Sequence, residues 1–147
     1  MNKTTEIFET NSPEDTEKIA SGLAKKLKPC DFIAFFGDLG SGKTAFVRGL
    51  ASVLCPECRV SSPTFAIVNE YTKGKIPIFH FDMYRITDDD SLFSTGFYDY
   101  FDRNGVIAAE WCENIPFALP ENRYEVLFRK TGDSSRIIEI TKFDTEE

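Results

Sequence analysis

"GDLGSGKT", Gly37 to Thr44, closes the apolar run "DFIAFFG" that starts at Asp31 and opens "TAFVRGLASVL", which runs from Thr44 to Leu54. The octet has the spacing G-x-x-x-x-G-K-T. Its glycines let the backbone fold around phosphate oxygens, with successive N–H groups turned inward and the positive end of the next helix behind them. Lys43 is placed to reach the β- and γ-phosphates, and the Thr44 hydroxyl to ligate Mg²⁺. Such an octet carries weight only between a buried strand and a helix. Asp31–Gly37 is almost wholly apolar, as in a strand covered on both faces. Phe46, Leu50 and Val53 recur at helical spacing. Gly37, Asp38, Leu39, Gly40, Ser41, Gly42, Lys43 and Thr44 are therefore the candidate nucleotide-binding residues.

Working outward, "SPEDTEKIASGLAKKL" reads as a helix: Ser12 caps it, Pro13 suits its first position, and Asp15 stands three past the cap. Ile19, Leu23 and Leu27 give it one buried face. "TEIF" is a short strand. "FAIVNEYT" and "IPIFHFDMY" are two strands around the turn "KGK", and "RYEVLFRK" and "RIIEITKF" form a second hairpin around "TGDSS". "GVIAAEW" is another buried strand. The expected fold is α/β, a P-loop NTPase-like three-layer sandwich with a mixed, mainly parallel sheet and β-hairpins. No repeat or linker interrupts it, so residues 1–147 read as one domain.

The composition narrows the function. The formal net charge is −7 over 147 residues, so the chain gains no counterion-release attraction to a nucleic-acid backbone. The local basic run Lys25, Lys26 and Lys28 reads as a solvated helix face. No apolar run is long enough to span a membrane and no signal segment leads the chain, which implies a cytoplasmic protein with reduced thiols. "CPEC", Cys55 to Cys58, lacks a second C-x-x-C for zinc, and it lacks the strand context of a redox motif.

A metal–nucleotide site needs a carboxylate at the end of a neighbouring strand. Asp82 ends "IPIFHFD" and Glu110 ends "GVIAAE". Period-two geometry puts Ile78, His80 and Asp82 on one strand face. His80 reads as a hydrogen-bonded core histidine, and Trp111 as a rim aromatic or a wall near the nucleotide. Thr64, in "SSPTF", is either part of a Ser-Pro turn or a reporter of the γ-phosphate. "TKFD", Thr141 to Asp144, matches the string that reads guanine, but only three residues follow it. No separate D-x-x-G lies beyond the loop, so ATP is the expected nucleotide.

"GDLGSGKT", "SPTF", Tyr71, "HFDMYRI", "GFYDYF" and "GVIAAEWCENI" followed by "LP" together resemble the TsaE family, also called the YjeE family. They run in the family's order from about Ser12 to Pro120. The resemblance implies a P-loop ATPase of bacterial tRNA threonylcarbamoyladenosine synthesis. It implies ATP bound by Lys43 and the loop amides, Mg²⁺ held by Thr44 and Glu110, and a switch-like Thr64. It implies that Asp82 positions or activates the attacking water, that Trp111 belongs to an E-W pair, and that Asn11–Thr16 and Arg136 lie near the nucleotide. The implied partners are TsaD and TsaB, which transfer the threonylcarbamoyl group of an adenylate made by TsaC. tRNA is then met only through that complex, as the acidic charge allows. Ser41 and Ala45 depart mildly from the family pattern, and "CPEC" is outside it.

Lys43, Asp82 and Glu110 are the expected catalytic residues. Arg85, and less so Arg48, is the in-chain candidate for stabilising transition-state charge. Two other classes remain as alternatives: a small-molecule P-loop kinase, for which no Arg-rich lid is visible, and a non-hydrolysing nucleotide-dependent binding module, for which two strand-end acids are superfluous.

Overall fold

Strand β2, Phe32–Phe36, is buried from Phe32 to Phe35 and so covered on both faces, as its unbroken apolar sequence requires. The computed structural model describes residues 2–37, 42–61, 63 and 67–145. Among these, seven strands form one sheet in the order β1-β7-β6-β2-β5-β4-β3. They are β1 Asn2–Thr10, β2, β3 Val68–Tyr71, β4 Ile78–Asp82, β5 Val106–Glu110, β6 Arg123–Lys130 and β7 Arg136–Asp144. The centre, β6-β2-β5-β4, is parallel. The flanks are antiparallel: β3 on β4, and β7 and β1 beyond β6.

Alternation along β2 divides the core. Ile33 and Phe35 face helices α1, Pro13–Ala24, and α2, Lys43–Leu54. Phe32 and Ala34 face the other layer, built from α3, Asp89–Phe93, and the short 3-10 helices Phe97–Asp102, Cys112–Asn114 and Pro116–Ala118. The expected three-layer α/β architecture is therefore present, with its parallel strands in the middle.

Helix α1 starts as its sequence dictates. Ser12 Oγ accepts from Asp15 N–H at 3.1 Å and Asp15 Oδ2 accepts from Asn11 N–H at 3.0 Å, so the third residue is tied to the cap and to the residue before it. The helix packs closely on α2 because Gly49 has no side chain: a Cβ there would lie 2.6 Å from Ala20 Cβ and would overlap Glu17 O.

Several expected details differ. β1 is nine residues long rather than the four of "TEIF", because β7 offers it a partner along its whole length. α1 ends at Ala24, short of Leu27, although Leu27 is still buried. Val53 is 36% exposed, and Leu54 takes its place against the sheet. Among the described residues of "FAIVNEYT", Val68–Tyr71 form the strand. Cys55 and Cys58 are joined as a disulfide rather than held as thiols. The chain turns there, with Cys58 N–H bonded to Cys55 O, and brings the two Cα atoms to 5.5 Å, a separation a disulfide spans.

Candidate functional site

The parallel strands β2, β4 and β5 end on the same side of the sheet, where open α/β folds hold their ligands. The antiparallel β7 starts there, so the hairpin turn at residues 131–135 reaches the same side. So does the start of α1, because β1 runs antiparallel to β7. A cleft of about 490 Å³ lies between these parts. Gly42, Lys43, Thr44 and Glu110 form its floor. Ser12, Pro13 and Thr16 form one wall, and Asp133, Ser134 and Arg136 another. The volume falls within the range usual for small-molecule sites.

Gly42 caps α2 with φ 109°, a left-handed conformation that disfavours any side chain, although the space beside it is open. Lys43 follows as the first helical residue and is buried. Its ammonium donates to Gly37 O at 2.5 Å and sits 4.6 Å from the centre of the Trp111 ring. A buried cation is thus held by one carbonyl and one π face. Gly37 is gripped from the other side, its N–H donating to Glu113 Oε2 at 2.9 Å.

Asp82 and Glu110 are register partners on β4 and β5. Glu110 is 9% exposed, and its Oε2 lies 2.5 Å from His80 Nε2. Asp82 is half-buried, with Oδ1 accepting from Tyr84 N–H at 2.9 Å. Burial raises the Asp82 pKa above its ordinary 3.8. The negative Glu110 raises it further, while the Tyr84 N–H, His80 and Lys43 pull it down. Trp111 has φ 61° and its ring packs 5.0 Å from Tyr84. Such a backbone is strained in a bulky residue, and strain of this kind gathers at functional sites.

The structure brings together Gly37, Gly42, Lys43, Thr44, Asp82, Glu110 and Trp111 from the sequence-based set. Asp38, Leu39, Gly40, Ser41 and Thr64 lie outside the described residues. Arg136 lines the cleft as anticipated, its guanidinium also donating to Ser135 O at 2.9 Å. Arg48 lines it too, paired with Glu17 at 3.3 Å, and Arg85 is exposed. "TKFD" ends β7 at the far edge of the sheet. Asp144 stands eight residues along the strand from Arg136, or roughly 27 Å from the cleft, out of reach of a bound base. Glu113 was not expected in this role. Glu113 stood inside "GVIAAEWCENI" without a role, and nothing in that string says that its carboxylate turns back to Gly37.

The donors near Thr44 and Glu110 are hard oxygens, one hydroxyl and one carboxylate, the chemistry that suits Mg²⁺. Among the described residues no three His, Cys, Asp or Glu side chains group into a cage. Mg²⁺ in phosphate sites rests mainly on phosphate and water, with one or two protein carboxylates, so the residues present fit it. Among the described residues no helix is long and apolar enough to cross a membrane.

Comparison with known proteins agrees with this frame. Residues 10–138 match the family model for TsaE, described as threonylcarbamoyl adenosine biosynthesis protein TsaE. The tRNA threonylcarbamoyladenosine biosynthesis protein TsaE of Bacillus subtilis is 39% identical over 134 residues, covering 91% of this chain and 84% of that protein. The TsaE of Aquifex aeolicus is 42% identical over 104 residues, covering 69% and 73%. The crystal structure of Bacillus subtilis YdiB superimposes with a TM-score of 0.82 at 33% identity, covering 98% of this chain and 89% of that one. With the strand-end acids and the sheet order in place and the family model matched over most of its length, the chain belongs to the TsaE family.

Proposed function

We propose that this chain, a single P-loop domain, is a Mg²⁺-dependent ATPase. Its hydrolysis supports threonylcarbamoyl transfer to adenosine in tRNA by a TsaB/TsaD complex in the cytoplasm. The observation that carries the reading is the meeting of Lys43, Thr44 and Glu110 in one cleft at the strand ends, with Asp82 beside Glu110. The amides of residues 37–42 and the start of α2 cradle the phosphates of ATP. Lys43 leaves Gly37 O and Trp111 for the β- and γ-phosphates. Thr44 Oγ1 and Glu110 would hold Mg²⁺, which would supply neutralisation of the phosphate charge. Trp111 walls the phosphate end, and Thr64 senses the γ-phosphate.

Asp82 acts on the water. A carboxylate whose pKa is raised is a better proton acceptor than an ordinary one. It orients a water in line with the γ-phosphorus. The water oxygen bonds to phosphorus as the bond to the β-bridging oxygen breaks, one water proton passes to Asp82, and ADP leaves with the electron pair. The described arginines near the cleft are otherwise engaged or turned away: Arg48 pairs with Glu17, Arg136 donates to the carbonyls of its own hairpin turn, and Arg85 is exposed. Hydrolysis by the isolated chain is therefore slow, since an arginine supplied to such a site is worth about 10³–10⁵ in rate.

Phosphate release from ATP and GTP, with and without TsaB and TsaD, tests the reading in wild type and Lys43→Ala. The expected result is ATP-preferring release that the partners stimulate and the substitution reduces by about 10²–10³, the usual scale for losing one charge-stabilising group. Stimulation absent with both nucleotides overturns it.

A further inference from the structure

Behind Glu110 the polar chain continues. His80 is fully buried and both of its ring nitrogens meet a polar atom. Nε2 faces Glu110 Oε2 at 2.5 Å, and Nδ1 lies 3.5 Å from the Tyr71 hydroxyl. That hydroxyl donates to Ser61 O at 3.0 Å and accepts from Ser61 N–H at 3.2 Å. Ser61 opens "SSPTF". Four groups from four separate parts of the chain thus form one line, from the carboxylate at the cleft to the backbone outside it. Tyr71 is itself buried, and its ring lies 6.2 Å from the His80 ring.

This geometry is more specific than a buried histidine needs. An imidazole with a partner on each nitrogen has one orientation, and a carboxylate that touches it is held in turn. A second anchor on Ser61 bypasses the line. Asn69 Nδ2 donates to Ser61 O at 3.0 Å, and the described hydrogen bonds of the Asn69 side chain go to Ser61.

We propose that Tyr71 and His80 are positioning residues that couple the backbone at Ser61 to the Glu110 carboxylate, so that Ser61 and the metal ligand are set together. The metal half of this statement rests on the proposed function; the coupling itself does not.

Two measurements separate them. The first uses the nucleotide-free protein and reads exchange of the Ser61 amide with water by saturation transfer. Glu110→Gln speeds it by at least about twofold, the lower range for directly coupled groups. In a Tyr71→Phe background the same change has no further effect. His80→Gln, which keeps a donor toward Glu110 and loses the reach to Tyr71, removes the coupling too. In an Asn69→Ala background the Glu110 effect persists, because that anchor is off the line. Equal effects of Glu110→Gln with and without Tyr71's hydroxyl overturn the proposal.

The second titrates Mg²⁺ into protein saturated with a non-hydrolysable ATP analogue and follows the fluorescence of Trp111, the sole tryptophan. Tyr71→Phe raises the Mg²⁺ needed for half-response by roughly tenfold, the lower end for losing support behind a metal ligand, while metal-free analogue affinity is unchanged. Equal loss of both affinities marks a merely structural role and overturns the proposal. A wild type that ignores Mg²⁺ overturns the metal reading, and the amide measurement still decides the coupling.

Discussion

The two faces of the sheet use the same strands for different ends. Toward α1 and α2, the sheet presents Ile33, Phe35, Ala108, Val126 and Ile140 to two twelve-residue helices. Toward the other side it presents Phe32, Phe79, Phe81 and Ile107 to helices of three to six residues. The first face is held by regular helix–sheet packing and leaves one end polar, where Lys43, His80 and Glu110 gather. The second holds itself by rings: Phe97 meets Phe32, Phe81, Tyr98 and Phe101 with centroids 5.2 to 6.2 Å apart and near-perpendicular planes. Long helices can carry a site at their tips. Short turns cannot bury a sheet without large side chains. The chemistry thus sits on one face while the aromatic layer fixes the strand ends from behind.

Breaking the aromatic layer gives the largest expected change in stability. Phe97 is fully buried at the centre of that cluster. Phe97→Ala lowers the unfolding free energy by about 3–5 kcal/mol, through lost transfer energy and a residual cavity. Denaturant unfolding measures it. The fraction that remains folded still binds nucleotide, because Phe97 belongs to the face away from the cleft. Loss of binding in that folded fraction would show that the two faces are not separable.

The helical face breaks less severely. Gly49→Ala puts a Cβ 2.6 Å from Ala20 Cβ and onto Glu17 O, so α1 must move off α2. The expected loss is about 1–3 kcal/mol, the usual range for overpacking. Here nucleotide affinity falls as well, because Ser12, Pro13 and Thr16 at the start of α1 wall the cleft. Thermal unfolding with and without nucleotide separates the two effects.

The same contrast explains what the sequence revealed. Features written in one short stretch were legible: the apolar strand Phe32–Phe36, the helix that starts at Lys43, the β6–β7 hairpin, and Asp82 and Glu110 as strand-end acids. The aromatic layer was not, because helices as short as Cys112–Asn114 have no periodicity to detect. The line from Ser61 to Glu110 was also hidden. Tyr71 and His80 come from neighbouring antiparallel strands, but Glu110 arrives on β5, whose parallel register with β4 is fixed only by the assembled sheet. His80 read correctly as a bonded core residue, yet its partner could not be named. Val53 misled for the opposite reason: it keeps helical spacing with Phe46 and Leu50, but the sheet surface lies under Leu54.

The smallest effect sharpens the comparison most, because it sets function against stability within the polar face. Asp82 has its pKa raised in the folded protein, mainly by burial. A carboxylate with a raised folded pKa binds its proton more tightly folded than unfolded, so its ionised form destabilises the fold. That destabilisation is complete above the folded pKa. It fades as pH falls through that value and is gone below the unfolded value of 3.8. Asp82→Asn removes it while keeping an oxygen for the Tyr84 N–H. The variant therefore melts higher at pH 7, by about 1–3 °C for a fraction of a kcal/mol in a chain of this size, and the gain disappears as the pH is lowered toward 3.8. Partner-stimulated hydrolysis falls by about 10²–10⁴, the range for losing a positioned proton acceptor. Scanning calorimetry between pH 4 and 7, beside phosphate release, checks both. A variant that melts lower at neutral pH and hydrolyses normally would remove Asp82 from the reaction and leave the carboxylate as an ordinary end to its strand.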